Sequence, residues 1–136
     1  METMNLPTLG QIITHQRTFT QQDFNTFAQL SGDDNPIHVD PVFSAATRFG
    51  RTVSHGMLLY GVICGVLSAH FPSARQVEQE LLFPNPTYAG EEITVRLEVT
   101  EVLADQARAR IQTSIQRADG VTTCEGRMLI QWKTAS

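Results

Sequence analysis

Two cysteines in 136 residues, Cys64 and Cys124, leave little scope for a disulfide framework. Both sit inside apolar stretches, where free buried thiols are expected. No Cys-x-x-Cys or His-x-x-x-His spacing occurs, so the sequence offers no ready-made metal shell. Basic charge is scarce too. Ten Lys and Arg against fourteen Asp and Glu give a formal net charge of −4. Apart from the neighbouring Arg48 and Arg51, the cations are scattered. This balance argues against a nucleic-acid binder, which carries a basic face, and leaves room only for a local patch that meets a phosphorylated cofactor. Long hydrophobic runs are missing as well. "GMLLYGVICGVLSA", residues 56–69, is the longest, and it is too short to span a bilayer. The opening "METMNLPTLG" has neither the basic start nor the apolar run of a signal peptide. These absences predict one soluble, cytoplasmic domain over residues 1–136, large enough to bury a sizeable core.

What is present changes character near residue 73, from helical to strand patterning. Thr20 with Asp23 forms a variant capping box. It opens a helix whose apolar face is Phe24, Phe27, Ala28 and Leu30 and which ends at Ser31-Gly32. Asp40-Pro41 reads as a cap followed by proline at the first helical position, with a short helix through Ala46. Ser54 is expected to cap a third helix over Gly56–Ala69. That helix has no charge and is apolar nearly all round, so it should be buried on most faces. Beyond it, "VEQELLF", "ITVRLEV", "ARARIQTSIQ" and "CEGRMLIQW" read as strands. The last three alternate with period two. Ile93, Val95, Leu97 and Val99 share one face, as do Ala107, Ala109, Ile111 and Ile115, and Cys124, Met128, Ile130 and Trp132. Asp119-Gly120 signals a hairpin, and Asp105-Gln106 a second turn. An antiparallel sheet with one apolar face needs a cover, and an apolar helix needs a wrapper. The fold class expected is therefore α+β, a curved antiparallel sheet around a central helix. Its exposed sheet edges favour a twofold partner.

The stretch "SGDDNPIHVD", residues 31–40, carries the chemistry. Asp33 and His38 lie five positions apart, with Asn35-Pro36 between them. Proline fixes its own φ and keeps Asn35 out of the helical region, so the chain can fold back and bring the two side chains together. A carboxylate beside an imidazole can hold a water and move protons near neutral pH. Two other readings compete. Asp and Asn commonly build turns through side-chain to backbone hydrogen bonds. Asp33, Asp34 and His38 could also offer metal ligands, though nothing nearby completes a shell. A second element, "TVSHGM" at residues 52–57, starts the buried helix at a glycine. Helix N-termini present free N–H groups and partial positive charge, and glycine permits close approach. That suits an oxyanion, such as the enolate oxygen of a thioester. Alternatively, Gly56 is small for packing, and His55 fits a structural place better than a catalytic one.

Taken together, these segments resemble the MaoC-like dehydratase family, which includes the (R)-specific enoyl-CoA hydratases. Gly32-Asp33-Asp34-Asn35-Pro36-Ile37-His38 matches its motif, and "VDPVFSAATRF", "HGM" at 55–57 and "FPNPTYAGEEI" at 83–93 follow in the family's order. The resemblance covers nearly the whole chain. It implies the hot-dog fold, a homodimer with acyl-thioester tunnels near the subunit interface, and no cofactor or metal. It implies Asp33 and His38 as the catalytic pair that adds water across a trans-2-enoyl-CoA, or a carrier-protein thioester, giving the (R)-3-hydroxyacyl product or the reverse dehydration. It implies the Gly56 N–H as oxyanion donor. Asp34 falls at a variable position of the motif and takes no catalytic role. Gly61 stands where several family hydratases carry a serine. A thioesterase, or a non-catalytic acyl-thioester binder, would use a similar tunnel without needing the Asp33/His38 pair.

Overall fold

A computed structural model of the chain describes residues 5–134; residues 1–4 of the opening stretch lie outside that range. The order of elements is β1 (Ile12–Thr18), α1 (Gln21–Ser31), α2 (Pro36–Val39), α3 (Pro41–Ala45), α4 (Gly56–His70), β2 (Ala74–Leu82), β3 (Glu92–Leu103), a 3-10 turn (Ala104–Gln106), β4 (Arg108–Arg117) and β5 (Thr122–Trp132). The strands form one antiparallel sheet in the order β1-β3-β4-β5-β2. The period-two faces read from the sequence all point inward. Ile93, Val95, Ile111, Ile115, Cys124 and Ile130 are fully buried. They share a single core with Leu59, Ile63, Val66 and Leu67 of α4. This is the hot-dog arrangement, an antiparallel sheet packed around one helix.

Burial rather than capping fixes α4. Its N-cap is His55, whose side chain makes no capping bond. The expected cap, Ser54, donates its hydroxyl to the His55 carbonyl at 2.9 Å instead. A side-chain cap contributes about 1 kcal/mol, whereas burying each of four large aliphatic side chains contributes roughly 1.5–3 kcal/mol. Packing wins by several-fold, so the helix tolerates an uncapped start. The expectation that α4 is buried on most faces does not hold for the single chain. Leu59, Ile63, Val66 and Leu67 face the sheet, but Met57 is 55% exposed and Gly61 and Gly65 open to solvent. An apolar side of this helix is left uncovered.

The capping box on α1 is present. Asp23 N–H donates to Thr20 Oγ1 at 3.2 Å and Thr20 N–H to Asp23 Oδ2 at 2.8 Å. Gly32 ends the helix at φ +81°, which its lack of Cβ permits. Leu30 departs from expectation: it is 85% exposed, because only Phe24 and Ala28 reach the core. Strand β1 has no clear period-two signature. Only Ile13 among its residues is buried, since β1 is an edge strand paired with β3 alone. Both predicted turns occur. Asp119 Oδ1 accepts the Val121 N–H at 3.0 Å around Gly120, and the 3-10 turn follows β3.

The tightest backbone approach joins β2 to β5. A Cβ placed on Gly126 would lie 1.9 Å from the carbonyl oxygen of Glu80. No rotamer relieves a clash with backbone, so Gly126→Ala must spread the two strands. We expect it to lower unfolding free energy by about 2 kcal/mol or more, read as a lower urea midpoint at unchanged slope.

Candidate active site

Helix α2 is the Asn35-Pro36 fold-back itself. Asn35 sits at φ −49°, ψ 130°, and its Oδ1 accepts the Ile37 N–H at 3.2 Å. The turn reading of this stretch is therefore correct as far as Asn35 goes. Asp40 does the same for α3, accepting from Val42 N and Phe43 N at 3.0 and 3.1 Å. Ser44, fully buried, donates to the carbonyls of α2 and binds the two short helices together.

The fold-back also brings the proposed pair into proximity. Asp33 Oδ2 lies 3.9 Å from His38 Nε2. This is too long for a direct hydrogen bond, yet short enough for one water to stand about 2.8 Å from both atoms. The His38 side chain is only 14% exposed, that of Asp33 57%. His38 Nδ1 is 2.8 Å from the carbonyl oxygen of Val53. A carbonyl only accepts, so Nδ1 carries the hydrogen and neutral His38 turns a bare Nε2 lone pair toward Asp33. Val53 holds this turn a second time, its N–H donating to Ile37 O at 3.0 Å. Gln21 Nε2 donates to His38 O at 2.9 Å, and Gln21 Oε1 accepts from Thr52 Oγ1 at 2.6 Å. Gln21 lies in no motif, and Thr52 and Val53, though they open "TVSHGM", carry no side-chain signal of these roles.

His55 joins the pair. It is buried, its ring stacks on His38 at 3.8 Å and 24° from parallel, and Phe27 packs on it at 4.7 Å. Its Nε2 is 2.8 Å from the Asp33 carbonyl oxygen. Burial, then the neighbouring His38, hold its pKa below the ordinary 6.5, against the hydrogen bond to Asp33. Asp33, His38 and His55 place possible ligand atoms within 4.8 Å of one another. An imidazole binds an ion in the plane of its ring, along the nitrogen lone pair. Two rings stacked nearly parallel aim those lone pairs side by side, which suits a ring pair rather than a chelate. Asp34 is exposed and takes no part in the cluster.

Gly56 begins α4, so its N–H has no acceptor within the helix, and it has none outside it among the described residues. Its small size is used: the Phe83 ring lies 2.9 Å from where a Cβ would stand. Beside it is a cavity of about 240 Å³ walled by Val53, Leu59, Phe83 and Pro86, with Arg48 also lining it. Of the two neighbouring cations, Arg51 is committed elsewhere, paired with Glu91 and lying 4.0 Å over the Tyr88 ring. Gly61 lies on another side of α4, lining a groove of about 320 Å³ with His15 and Arg17 of β1. The structure does not bring it beside Gly56. A larger hollow, about 760 Å³, lies over β2 and β5 and contains neither Asp33 nor His38.

Residues 6–123 match the family model described as "MaoC like domain". The chain belongs to this family. Among its relatives, the MaoC-like chain is 34% identical to the (R)-specific enoyl-CoA hydratase of Aeromonas caviae, over 90% of this chain and 93% of that protein. It is 32% identical to the 3-hydroxybutyryl-CoA dehydratase of Methylorubrum extorquens, over 85% of this chain and 74% of the relative. The solved (R)-hydratase from A. caviae superposes with a TM-score of 0.89 at 32% identity, covering 93% of this chain and 98% of that one.

A buried neutral His55 links protons to stability. Its folded pKa lies below 6.5, so in mildly acidic solution the unfolded chain binds the proton more readily. Unfolding then takes up protons, and stability falls as pH drops below about 6.5. Urea midpoints measured from pH 7.5 to 5 should fall less steeply for His55→Phe than for the parent chain.

Proposed function

We propose that the protein is a hydro-lyase that adds water across the double bond of a trans-2-enoyl-CoA to give the (R)-3-hydroxyacyl-CoA, or runs the reverse dehydration. The observation that carries this is the 3.9 Å separation of Asp33 Oδ2 and His38 Nε2, with the opposite ring nitrogen locked on Val53. A water between the two can lose its proton to the pair while its oxygen bonds to C3. Negative charge then develops on the thioester oxygen, and the Gly56 N–H, at the positive end of α4, is free to receive it. A proton returns from the pair to C2, so one water is consumed per double bond and nothing else is required. The two transfers belong to the pair as a unit. Family membership and the names of the two relatives support the reaction; the 3-hydroxy name supports addition at C3, and the (R)-specific name supports the stereochemistry.

The functional unit in this reading is a homodimer, with a CoA or carrier-protein thioester as its partner molecule. The cavity beside Gly56, about 240 Å³, is below the roughly 300–1,000 Å³ of small-molecule sites, so a second copy would enlarge it. The uncovered side of α4, and the free edge of β2 with exposed Leu82 and Phe83, are where it would seat. Two free cysteines suit a reducing, cytoplasmic setting.

The deciding assay follows crotonyl-CoA by loss of its conjugated absorbance while free thiol is measured in parallel. Hydration removes the absorbance without releasing thiol; thiol release would replace this proposal with a thioesterase. Asp33→Asn and His38→Ala should each lower kcat by about 100-fold or more and leave thermal melting and dimer mass unchanged. Near-parental turnover in either variant would end the assignment of the pair.

A further inference from the structure

We infer that His55 is a positioning residue that holds Asp33, His38 and Gly56 in mutual register. This rests on the reading of Asp33 and His38 as the proton-transferring pair. Each part of His55 is committed to a different part of the site. Its Nε2 meets the Asp33 carbonyl oxygen at 2.8 Å, and since a carbonyl only accepts, Nε2 bears the hydrogen. Its ring lies against the His38 ring at 3.8 Å, backed by Phe27 at 4.7 Å. Its own carbonyl carbon is bonded to the Gly56 nitrogen, and that peptide is steadied by the Ser54 hydroxyl at 2.9 Å. One residue therefore touches the backbone of the carboxylate, the face of the imidazole and the peptide of the oxyanion donor.

Packing alone does not account for an imidazole here. With Nε2 as donor, Nδ1 is left as a lone pair that is buried and has no partner among the described residues. A buried polar atom without a partner is unfavourable. A phenyl ring would pack between Phe27 and His38 without that penalty. The imidazole differs from it by the N–H aimed at Asp33. The titratable groups facing it are Asp33 and His38, and its burial keeps it neutral beside them. A neutral neighbour lets His38 gain a proton without a second cation stacked on its face. His55 acts through the pair and need not touch substrate.

Three variants separate the contacts. His55→Phe keeps the stack and loses the N–H; His55→Gln keeps an N–H and loses the ring; His55→Ala loses both. With crotonyl-CoA, His55→Phe should lower kcat about tenfold or more, with KM within about threefold. His55→Ala should fall further, and His55→Gln should recover part of that additional loss. Parental kcat in His55→Phe, or a defect confined to KM, overturns the inference. A second readout needs neither turnover nor a folded variant. Nitrogen-15 NMR of the parent protein at neutral pH should show His55 as the neutral Nε2–H tautomer. An Nδ1–H tautomer, or a ring protonated on both nitrogens at that pH, also overturns it. A parent protein that hydrates no enoyl thioester would remove the proposed reaction, while the NMR result still decides the geometry of His55.

Discussion

Two hydrogen bonds to the backbone of Val53 govern the rest of the site. Its N–H holds Ile37 and its carbonyl holds the His38 ring. Val53 is itself buried and bridges to Tyr88 on the segment leading into β3. The short α2 has one turn and no buried residue of its own, so by itself it is far below the length at which a helix is stable. It exists because the Val53 strap, the Gln21 amide and the Ser44 hydroxyl supply what a longer helix would supply internally. The orientation of His38 is thus set by groups outside its own element. Nδ1 is fixed by a neutral carbonyl, and the reactive side of the ring is left facing the carboxylate.

The sheet and α4 form the rigid support beneath this turn. Each would be unstable alone, the sheet for want of a cover and the helix for want of a cap. Together they bury one continuous cluster. The buried helix therefore starts at Gly56, where it presents its free amide. The loop elements that carry Asp33 and His38 are fastened to that end through Val53 and His55. The core and the site are joined through residues 53–56, which hold the His38 ring through Val53 and the Asp33 backbone through His55.

Much of this was legible in the sequence. Period-two patterning gave β3, β4 and β5 and their inward faces, because both neighbours of each of these strands are present and one face is fully covered. It failed for β1, whose one buried side chain, Ile13, cannot make a pattern. Helical spacing gave α1 and its end at Ser31-Gly32 but placed Leu30 on the apolar face, where the core has already ended. The spacing of Asp33 and His38 correctly anticipated their proximity. What supports them did not show, since hydrogen bonds to the carbonyls of Val53 and Asp33 leave no trace in side-chain identity. Ser54 was the better cap by residue type, but α4 is held by packing, and the cap position fell to a histidine occupied with other partners.

The sheet also departs from strict alternation at three places: between Gln76 and Glu78, between Val99 and Glu101, and near Ile115, where β5 carries Thr123 as an extra residue. Alternation along a strand behaves as a phase, and each bulge is a phase slip that also bends the strand. At β5 the slip lets two consecutive residues, Thr123 and Cys124, both face inward at 0% exposure. Cys124 joins the core under α4, and Thr123 turns to the wall of the cavity beside Gly56, next to Thr87. A sheet in perfect phase would serve only the helix. One slipped residue lets the same strand face both the core and the cavity.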